Sequence, residues 1–317
     1  MTRIALELKH RDTLSCTDSV IVCVGDYFNE DTSPCFINCF DFYYAKNDGM
    51  LNLGNKKTWP HDSGNFENHK ILLRDYCGIQ YDAYEATMLS DIDETIAEQI
   101  SDLNPVSVML DSFYLPWNKH YLQYGREHTV LILGVDENAY ICMDPFYNNP
   151  YCVVEKEIII KHSKVLQTYK KTTSHKKPSL SETIDKIKNY QRINCQRMNY
   201  MDDFAHDLSN MKFTKEDRDE YSSFDQAPLL FCLTNLCWSR INYLGALQYV
   251  ASTYKTSRFD EAISCFPQTI KLWKKMKQLF MMSFHSCKEE KYLGKAGAVV
   301  REIKAKEGNI IDMIISL

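Results

Sequence analysis

The pattern of apolar and polar positions divides the chain near residue 180. Before that point, short apolar runs are bounded by turn-forming residues, which is typical of strands. Such runs predict strands at 105–110, 128–135, 139–145 and 151–160. The run at 19–28 also predicts a strand, the segment 136–138 predicts a hairpin turn, and helical spacing predicts a helix over 91–104. The first half is therefore predicted to be mixed α and β.

After residue 180 the apolar residues recur with the period of an α-helix. The predicted helices cover residues 182–211, 226–253, 260–286 and 290–306. Ser179 followed by Glu182 predicts a capping box at the start of the first helix. Because the segment 169–180 is polar and basic, it predicts a linker. We therefore expect one domain at 1–168 and a helical bundle at 180–317.

Composition excludes several broad classes of protein. Of the 317 residues, 44% are hydrophobic and 25% are charged, and the net charge is −5. The overall basic excess typical of nucleic-acid-binding proteins is therefore absent. The N-terminal sequence lacks the apolar region of a signal peptide, and no run reaches the ~18 apolar residues of a membrane helix. We expect a cytoplasmic protein with neither a nucleic-acid nor a membrane partner.

The 12 cysteines are scattered along the chain, with no C-x-x-C pair among them. Zinc sites usually show closely spaced Cys or His pairs, so no metal site is predicted. A phosphate-binding G-x-x-x-x-G-K-[ST] motif is also missing, so no nucleotide and no resident cofactor are expected. Most of the thiols are expected to be reduced and buried.

The sequence SPCFINCF at 33–40 predicts a reactive cysteine. Ser33 is a favourable N-cap and Pro34 suits the first position of a helix, which helical spacing then extends towards Gly49. Cys35 would lie in the first turn, where free N–H groups and the helix dipole lower the pKa of a thiol. Cys39, one turn further, is the competing nucleophile. The alternative for both cysteines is a buried, unreactive side chain.

A cysteine nucleophile needs a general base and a group that orients the base. His128 begins one predicted strand and Asp144 lies near the end of the next one. In an antiparallel pair joined by a short turn, these positions come together at the same end of the sheet. The pattern therefore predicts a triad of Cys35, His128 and Asp144, unless His128 is a surface residue and Asp144 a turn residue before Pro145.

Cysteine on an early helix, followed by histidine and aspartate on paired strands, resembles the papain-like superfamily. Over about residues 20–160 the chain resembles the C39 peptidases and, more closely, the N-terminal domain of butirosin-type acyltransferases. The matching positions are Cys35, Gly49, Asp111, Tyr114, Leu115, Pro116, His128, Val130, Ile132, Gly134, Asp144 and Pro145. The resemblance implies an α+β, papain-like (C39-like) cysteine-protease fold in 1–168, with the C-terminal helical bundle following it.

The resemblance also implies an oxyanion hole. The peptidases place a glutamine a few residues before the cysteine, and here the amide-bearing residue upstream of Cys35 is Asn29. An asparagine side chain can donate the same hydrogen bond, with a shorter reach. Asn29 is therefore the expected oxyanion donor.

The expected reaction is ATP-independent amide formation in the biosynthesis of a peptide-like antibiotic. Cys35 would accept an acyl group from the thioester of an acyl or peptidyl carrier protein and pass it to a small primary amine. The residues expected to line the substrate site are Asp111, Tyr114, Trp117 and Tyr121. The carboxylate of Asp111 is expected to bind the ammonium group of the amine substrate. The only prosthetic group expected is the phosphopantetheine of the carrier. Two alternatives are a cysteine peptidase or amidase and a noncatalytic binding scaffold.

A carrier protein is typically acidic, so a basic docking surface is expected. Two clusters of lysines are candidates, one in the linker and one in a predicted helix. They consist of Lys170, Lys171, Lys176 and Lys177, and of Lys271, Lys274, Lys275 and Lys277. The helical half could also mediate homodimerisation.

Overall fold

The computed structural model describes residues 3–45, 51–54, 66–221, 227–286 and 288–317. The described chain is of mixed α and β structure and includes a six-stranded antiparallel sheet. The strands are β1 (Ile79–Glu85), β2 (Val106–Asp111), β3 (Glu127–Val135), β4 (Ala139–Asp144), β5 (Asn149–Glu155) and β6 (Ser163–Lys171). The helices are α1 (Cys16–Tyr27), α2 (Phe66–Leu72), α3 (Ile92–Ser101), α4 (Lys156–His162), α5 (Leu180–Arg197), α6 (Tyr200–Asn210), α7 (Lys215–Glu220), α8 (Pro228–Thr253), α9 (Asp260–His285) and α10 (Glu289–Ser316).

The chain folds into two compact units. Unit 1 comprises residues 1–35 and 66–177, and unit 2 comprises residues 36–65 and 178–317. The expected division into 1–168 and 180–317 differs from this in two respects. Residues 169–177, predicted to be a linker, belong to unit 1, where β6 extends to Lys171. The larger difference is that residues 36–65 belong with the helices. Aromatic packing explains the difference: Phe40 lies 5.0 Å from both Tyr243 and Phe266, measured between ring centroids.

The sheet of unit 1 has the strand order β1-β6-β2-β3-β4-β5. Helix α1 packs against β3, one of its central strands. The predicted strands at 105–110, 128–135 and 139–145 are confirmed as β2, β3 and β4, and the turn at 136–138 joins the last two. In the antiparallel register, Leu131 pairs with Met143, so the start of β3 and the end of β4 lie at the same end of the sheet.

Two local predictions in unit 1 are wrong. The run at 19–28 is helical, because α1 covers Cys16–Tyr27 with Ser15 as its N-cap. Since α1 is buried on most of its surface, its sequence lacks the polar face that signals a helix. The run at 151–160 begins as β5 but continues as α4 after Glu155.

The helix predicted from Ser33 onward is also wrong. Regular structure there is limited to a 3-10 helix at Ser33–Phe36, and the described chain to residue 45 has no further helix or strand. The predicted helix end at Gly49 lies outside the described residues. The helix predicted over 91–104 is confirmed as α3, with Asp91 as its N-cap.

Unit 2 is helical over its long C-terminal segment. The capping box of Ser179 and Glu182 is confirmed at the start of α5, although the helix predicted over 182–211 is divided into α5 and α6. The other three predicted helices correspond to α8, α9 and α10. Of the helices described, none is both long enough and apolar enough to span a membrane.

An ion pair lies in the core of unit 2. Arg240 and Glu307 are both fully buried, with Arg240 Nη2 2.8 Å from Glu307 Oε2. Trp273 Nε1 donates to Glu307, and Arg240 Nη1 donates to the carbonyl of Asp41 at 2.6 Å. The guanidinium also lies over the ring of Phe40. Arg240 thus contacts both the segment around Phe40 and Glu307 of α10, so it links that segment to the helices. Each charge of the pair has several partners, as a buried ion pair requires.

Candidate active site

Cys16 is the first residue of α1 and lies near the start of β3. The Ser15 hydroxyl caps the helix by accepting a hydrogen bond from the Asp18 N–H at 3.2 Å. Cys16 is half-buried. In the first turn of a helix, unpaired N–H groups and the helix dipole favour an anion. This position therefore favours a thiolate.

His128 and Asp144 form a buried pair beside this helix end. His128 Nε2 lies 2.7 Å from Asp144 Oδ2, and the two residues are 3% and 0% exposed. Trp117 Nε1 donates to the same carboxylate oxygen at 2.7 Å, and the Tyr147 N–H donates to Oδ1 at 3.1 Å. The carboxylate is therefore fixed from three directions, and it in turn fixes the imidazole.

The thiol of Cys16 interacts with His128, and this interaction lowers the pKa of the thiol. Since Nε2 of His128 faces Asp144, Nδ1 is the ring nitrogen left for the thiol. Thr129 also contacts the thiol, with Cys16 Sγ 3.9 Å from its hydroxyl oxygen. The Thr17 hydroxyl holds that of Thr129 at 3.0 Å. The thiol of Cys16 thus lies beside the hydrogen-bonded pair of His128 and Asp144.

The charges of these three residues shift the pKa values of both titrating groups. Burial acts to raise the pKa of Cys16, but the hydrogen bond and positive charge of His128, with the contacts from Thr129, lower it below its ordinary value. Burial acts to lower the pKa of His128, but Asp144 and the Cys16 thiolate raise it to about 10. Both shifts act in the direction of a thiolate–imidazolium pair.

Aromatic rings enclose the imidazole. The ring centroids of Phe146 and Tyr147 lie 5.6 Å and 5.1 Å from that of His128. Together with Trp117 on Asp144, these rings limit the access of water to the base. His10 connects the chain before α1 to the same region, because its Nδ1 lies 2.7 Å from the carbonyl oxygen of Pro145.

The environment of Cys35 differs from that predicted for a nucleophile. Cys35 is 1% exposed, and its Sγ lies 3.9 Å from Sγ of Cys77. Cys77, burial and the charges of Asp18 and Asp31 together raise the pKa of Cys35 well above its ordinary value. The structure therefore places Cys16, and not Cys35, against His128 in the predicted triad. The competing candidate, Cys39, is buried and donates to the Phe36 and Ser239 carbonyls.

The prediction that Asn29 is the oxyanion donor does not agree with its position. Asn29 follows the C-terminal end of α1, where it is exposed and has a φ of 57°. A helix of 12 residues is roughly 18 Å long, so Asn29 lies far from the thiol of Cys16. The backbone N–H groups that lie nearer to the Cys16 thiol are those of the first turn of α1.

Of the four predicted substrate-site residues, Trp117 contacts the triad. The Asp111 carboxylate accepts the Phe113 N–H at 2.9 Å, so it caps a short 3-10 helix. The Tyr114 ring stacks on His162 with the ring centroids 3.6 Å apart. Tyr121 is exposed on the same loop. The structure thus gives Trp117 the role of holding Asp144, which the sequence did not predict.

The residue that sequence reasoning missed is Cys16. The signal was present, because Ser15 and Asp18 form the [ST]-x-x-[DE] pattern directly before an apolar run. This pattern predicts the start of a helix, and it places Cys16 in the first turn.

The two predicted lysine clusters also differ in their surroundings. In the linker cluster, Lys171 and Lys177 form ion pairs with Glu30. In the helical cluster, Lys271, Lys274 and Lys275 are exposed on α9. Burial lowers the pKa of Lys277, the fourth lysine of that cluster. The exposed lysines of α9 are therefore the stronger basic surface of the two.

No protein-family model matches the chain, and no curated protein sequence shows significant similarity to it.

Proposed function

We propose that the protein is a papain-like thiol acyltransferase. In this proposal Cys16 takes an acyl group from a carrier-protein thioester and transfers it to a primary amine, forming an amide. The observation that carries the proposal is the cluster of Cys16 with the hydrogen-bonded pair of His128 and Asp144 at the N-terminus of α1. The order of the three residues along the chain agrees with the resemblance, with Cys16 in the place expected for Cys35.

The first half of the reaction forms an acyl-enzyme. The Cys16 thiolate attacks the thioester carbonyl carbon, and the backbone N–H groups at the start of α1 stabilise the oxyanion. The carbon–sulfur bond to pantetheine then breaks, and the leaving thiolate takes the proton of the His128 imidazolium. The products are acyl-Cys16, neutral His128 and a free pantetheine thiol.

The second half transfers the acyl group to the amine. In acyl-Cys16 the thiolate is gone, and with it one of the charges that raise the pKa of His128. The neutral imidazole can therefore take a proton from the amine as its nitrogen attacks the carbonyl carbon. When the intermediate collapses, the amide leaves and the thiolate–imidazolium pair is restored. Because thioester aminolysis is downhill, no nucleotide is consumed.

The enclosure of the base favours amine over water as the acyl acceptor. His128 is 3% exposed and packs against the rings of Phe146 and Tyr147, so bulk solvent has little access to it. An amine that binds against these rings takes the position beside the imidazole and displaces the remaining water. Hydrolysis of a peptide would require water at this same position. We therefore propose amide synthesis and not peptide hydrolysis as the activity.

The test supplies the purified protein with an acyl pantetheine thioester and a primary amine, without nucleotide. We expect amide, and we expect its yield to rise at the expense of free acid as the amine concentration increases, because both products arise from one intermediate. Mass spectrometry should locate the acyl group on the peptide containing Cys16, and Cys16→Ser should abolish its turnover. Peptide cleavage without thioester-dependent amide formation would establish the peptidase instead.

A further inference from the structure

A closed loop connects β2 to β3, from Ser112 to Arg126. Its two ends are joined, because the Ser112 N–H donates to the Arg126 carbonyl at 2.9 Å and the Arg126 N–H donates to the Ser112 hydroxyl at 3.1 Å. Compact loops of this kind, packed by their own side chains, frequently carry function. We refer to residues 112–126 as the Ser112–Arg126 loop.

The interior of the Ser112–Arg126 loop is rigidly built. Asn118 is 5% exposed and its Nδ2 donates to the Ser112 carbonyl at 2.8 Å, while its Oδ1 accepts the His120 N–H. Gly125 has no space for a side chain, since a Cβ there would overlap the Asp111 carboxylate and Phe113. The loop therefore has a defined surface before any partner binds, which reduces the entropy cost of binding.

The outer surface of this loop is apolar. Leu122 is 54% exposed, and Tyr121 and Tyr124 are 38% and 36% exposed. Leu122 also has a φ of 57°, a left-handed conformation that is unfavourable for a residue with a Cβ. Its side chain gains little burial in return for this strain. Strained backbone and clustered exposed apolar side chains both occur at binding surfaces.

The charges on the loop are of one sign. Residues 112–126 contain no Asp or Glu but include Lys119 and Arg126. The carboxylates at the two ends are engaged elsewhere, Asp111 with the Phe113 N–H and Glu127 with Lys164 at 3.0 Å. The surface is thus an apolar patch with cationic neighbours, which is complementary to an apolar side chain flanked by carboxylates.

The loop is directly connected to the candidate active site. Trp117, near its middle, donates to Asp144, and Arg126 precedes His128 by two residues. The Arg126 charge also acts on Tyr147, whose ring lies against His128. A partner bound to this surface therefore contacts the loop that holds Asp144 through Trp117.

We propose that the Ser112–Arg126 loop docks the acidic helical carrier protein that delivers the acyl thioester, with Leu122 as the apolar anchor. This inference rests on the proposed function, because the thioester donor is what requires a carrier. The loop is favoured over the α9 lysines because it combines an apolar centre with positive charge next to the triad.

The experiment compares two donors that carry the same hexanoyl thioester. One is a type II acyl carrier protein with hexanoyl-phosphopantetheine, and the other is hexanoyl-N-acetylcysteamine, which needs no docking surface. The variant is Leu122→Gly, which removes the anchor and allows the left-handed backbone. The matched control is Leu103→Gly, because Leu103 has a φ of 60° and is 50% exposed but lies at the end of α3.

Both glycine variants should raise the melting temperature, since each relieves a strained leucine. Only Leu122→Gly should raise the KM for the carrier-bound donor, by about tenfold, as expected for loss of a binding hot spot. Its ratio of kcat/KM for the carrier over the small donor should fall by the same factor. The same ratio in Leu103→Gly should equal that of the wild type.

Several results would overturn the proposal. An unchanged carrier KM in Leu122→Gly would do so, as would a larger effect from the triple variant Lys271→Glu, Lys274→Glu, Lys275→Glu, which would place docking on α9. If the protein binds phosphatidylglycerol vesicles through this loop and does not bind the carrier protein, the loop is a membrane contact instead. Transfer from the small donor with no effect of Leu122→Gly would refute docking while the proposed function stands. Absence of transfer from either donor by the wild type would refute the proposed function itself.

Discussion

Unit 1 contains two cysteine environments that resemble each other in sequence and differ in charge. Cys16 directly follows the capping Ser15, and Cys35 follows Ser33 and Pro34. Cys16 is half-buried and its thiol interacts with His128, whose pKa is raised, whereas Cys35 is buried beside Cys77, with Asp18 and Asp31 as the nearby charges. The cationic environment stabilises a thiolate, and the anionic environment opposes one.

This difference shows that a serine near the start of a helix is insufficient to identify a reactive cysteine. Two further conditions separate the two sites, namely a helix long enough to have a dipole and a cation that faces the sulfur. Cys16 meets both conditions, with α1 of 12 residues and His128. Cys35 lies in a 3-10 helix of 4 residues, where the dipole is small.

The largest expected effect comes from removing each thiol in turn. Cys16→Ala should reduce the rate of acyl transfer on the order of 10³-fold or more, because the nucleophile is lost. Cys35→Ala should leave an active enzyme and cost about 1 kcal/mol of stability, the typical effect of a small buried truncation. Steady-state kinetics and thermal unfolding measure the two effects. Equal loss of activity in both variants would contradict the assignment of Cys16.

An intermediate effect is expected on the pH dependence of alkylation. Because the pKa of Cys16 is lowered, iodoacetamide should label it at pH values well below the ~8.5 of an ordinary cysteine. His128→Ala removes the group that lowers this pKa while burial still raises it, so the midpoint of labelling should move upward.

Peptide mapping of the labelled protein gives each cysteine its own profile. Exposed Cys195 is the internal reference for access to the reagent. Cys35 should stay unlabelled in the native protein and become reactive on unfolding, because burial and neighbouring negative charge both keep it protonated. Labelling of Cys35 at a lower pH than Cys16 would contradict the assignment of Cys16 as the reactive thiol.

The smallest effect is expected from Trp117→Phe, which removes one of the hydrogen bonds to Asp144 and keeps an aromatic ring. A hydrogen bond to a charged group contributes roughly 1.5–3 kcal/mol, so kcat should fall about tenfold. Loss of this donor leaves more of the carboxylate's charge for His128, so the pKa of His128 should rise further. The alkaline limb of the rate profile would report this rise, and Trp238→Phe in α8 is the control. An unchanged profile would exclude a positioning role for Trp117.

The sequence predicts those residues of the candidate site that lie on elements adjacent to each other along the chain. His128 and Asp144 lie on strands joined by a short hairpin, so a local pattern is enough to place them at one end of the sheet. Cys16 lies on a helix buried on most sides, and the β-branched run from Val20 to Val24 therefore looks like a strand.

Tertiary packing explains the other differences. The segment after Ser33 has helical spacing, but Phe40 and Phe42 pack among distant aromatic residues of unit 2, which overrides the local preference. Trp117 reaches Asp144 from a loop 27 residues earlier in the chain. No periodicity encodes such a contact, since it depends on how the Ser112–Arg126 loop closes.

The discontinuous make-up of unit 2 has a consequence for synthesis of the protein. Arg240 donates to the carbonyl of Asp41, which lies 199 residues earlier. At a translation rate of ~5–20 residues per second, the segment around Asp41 leaves the ribosome about 10–40 s before its helical partner exists. During that interval Phe40 and Phe42 are exposed on a nascent chain. Unit 2 thus completes its fold only after its C-terminal helices have been synthesised, and a chain truncated after Lys177 would retain an apolar segment that chaperones bind.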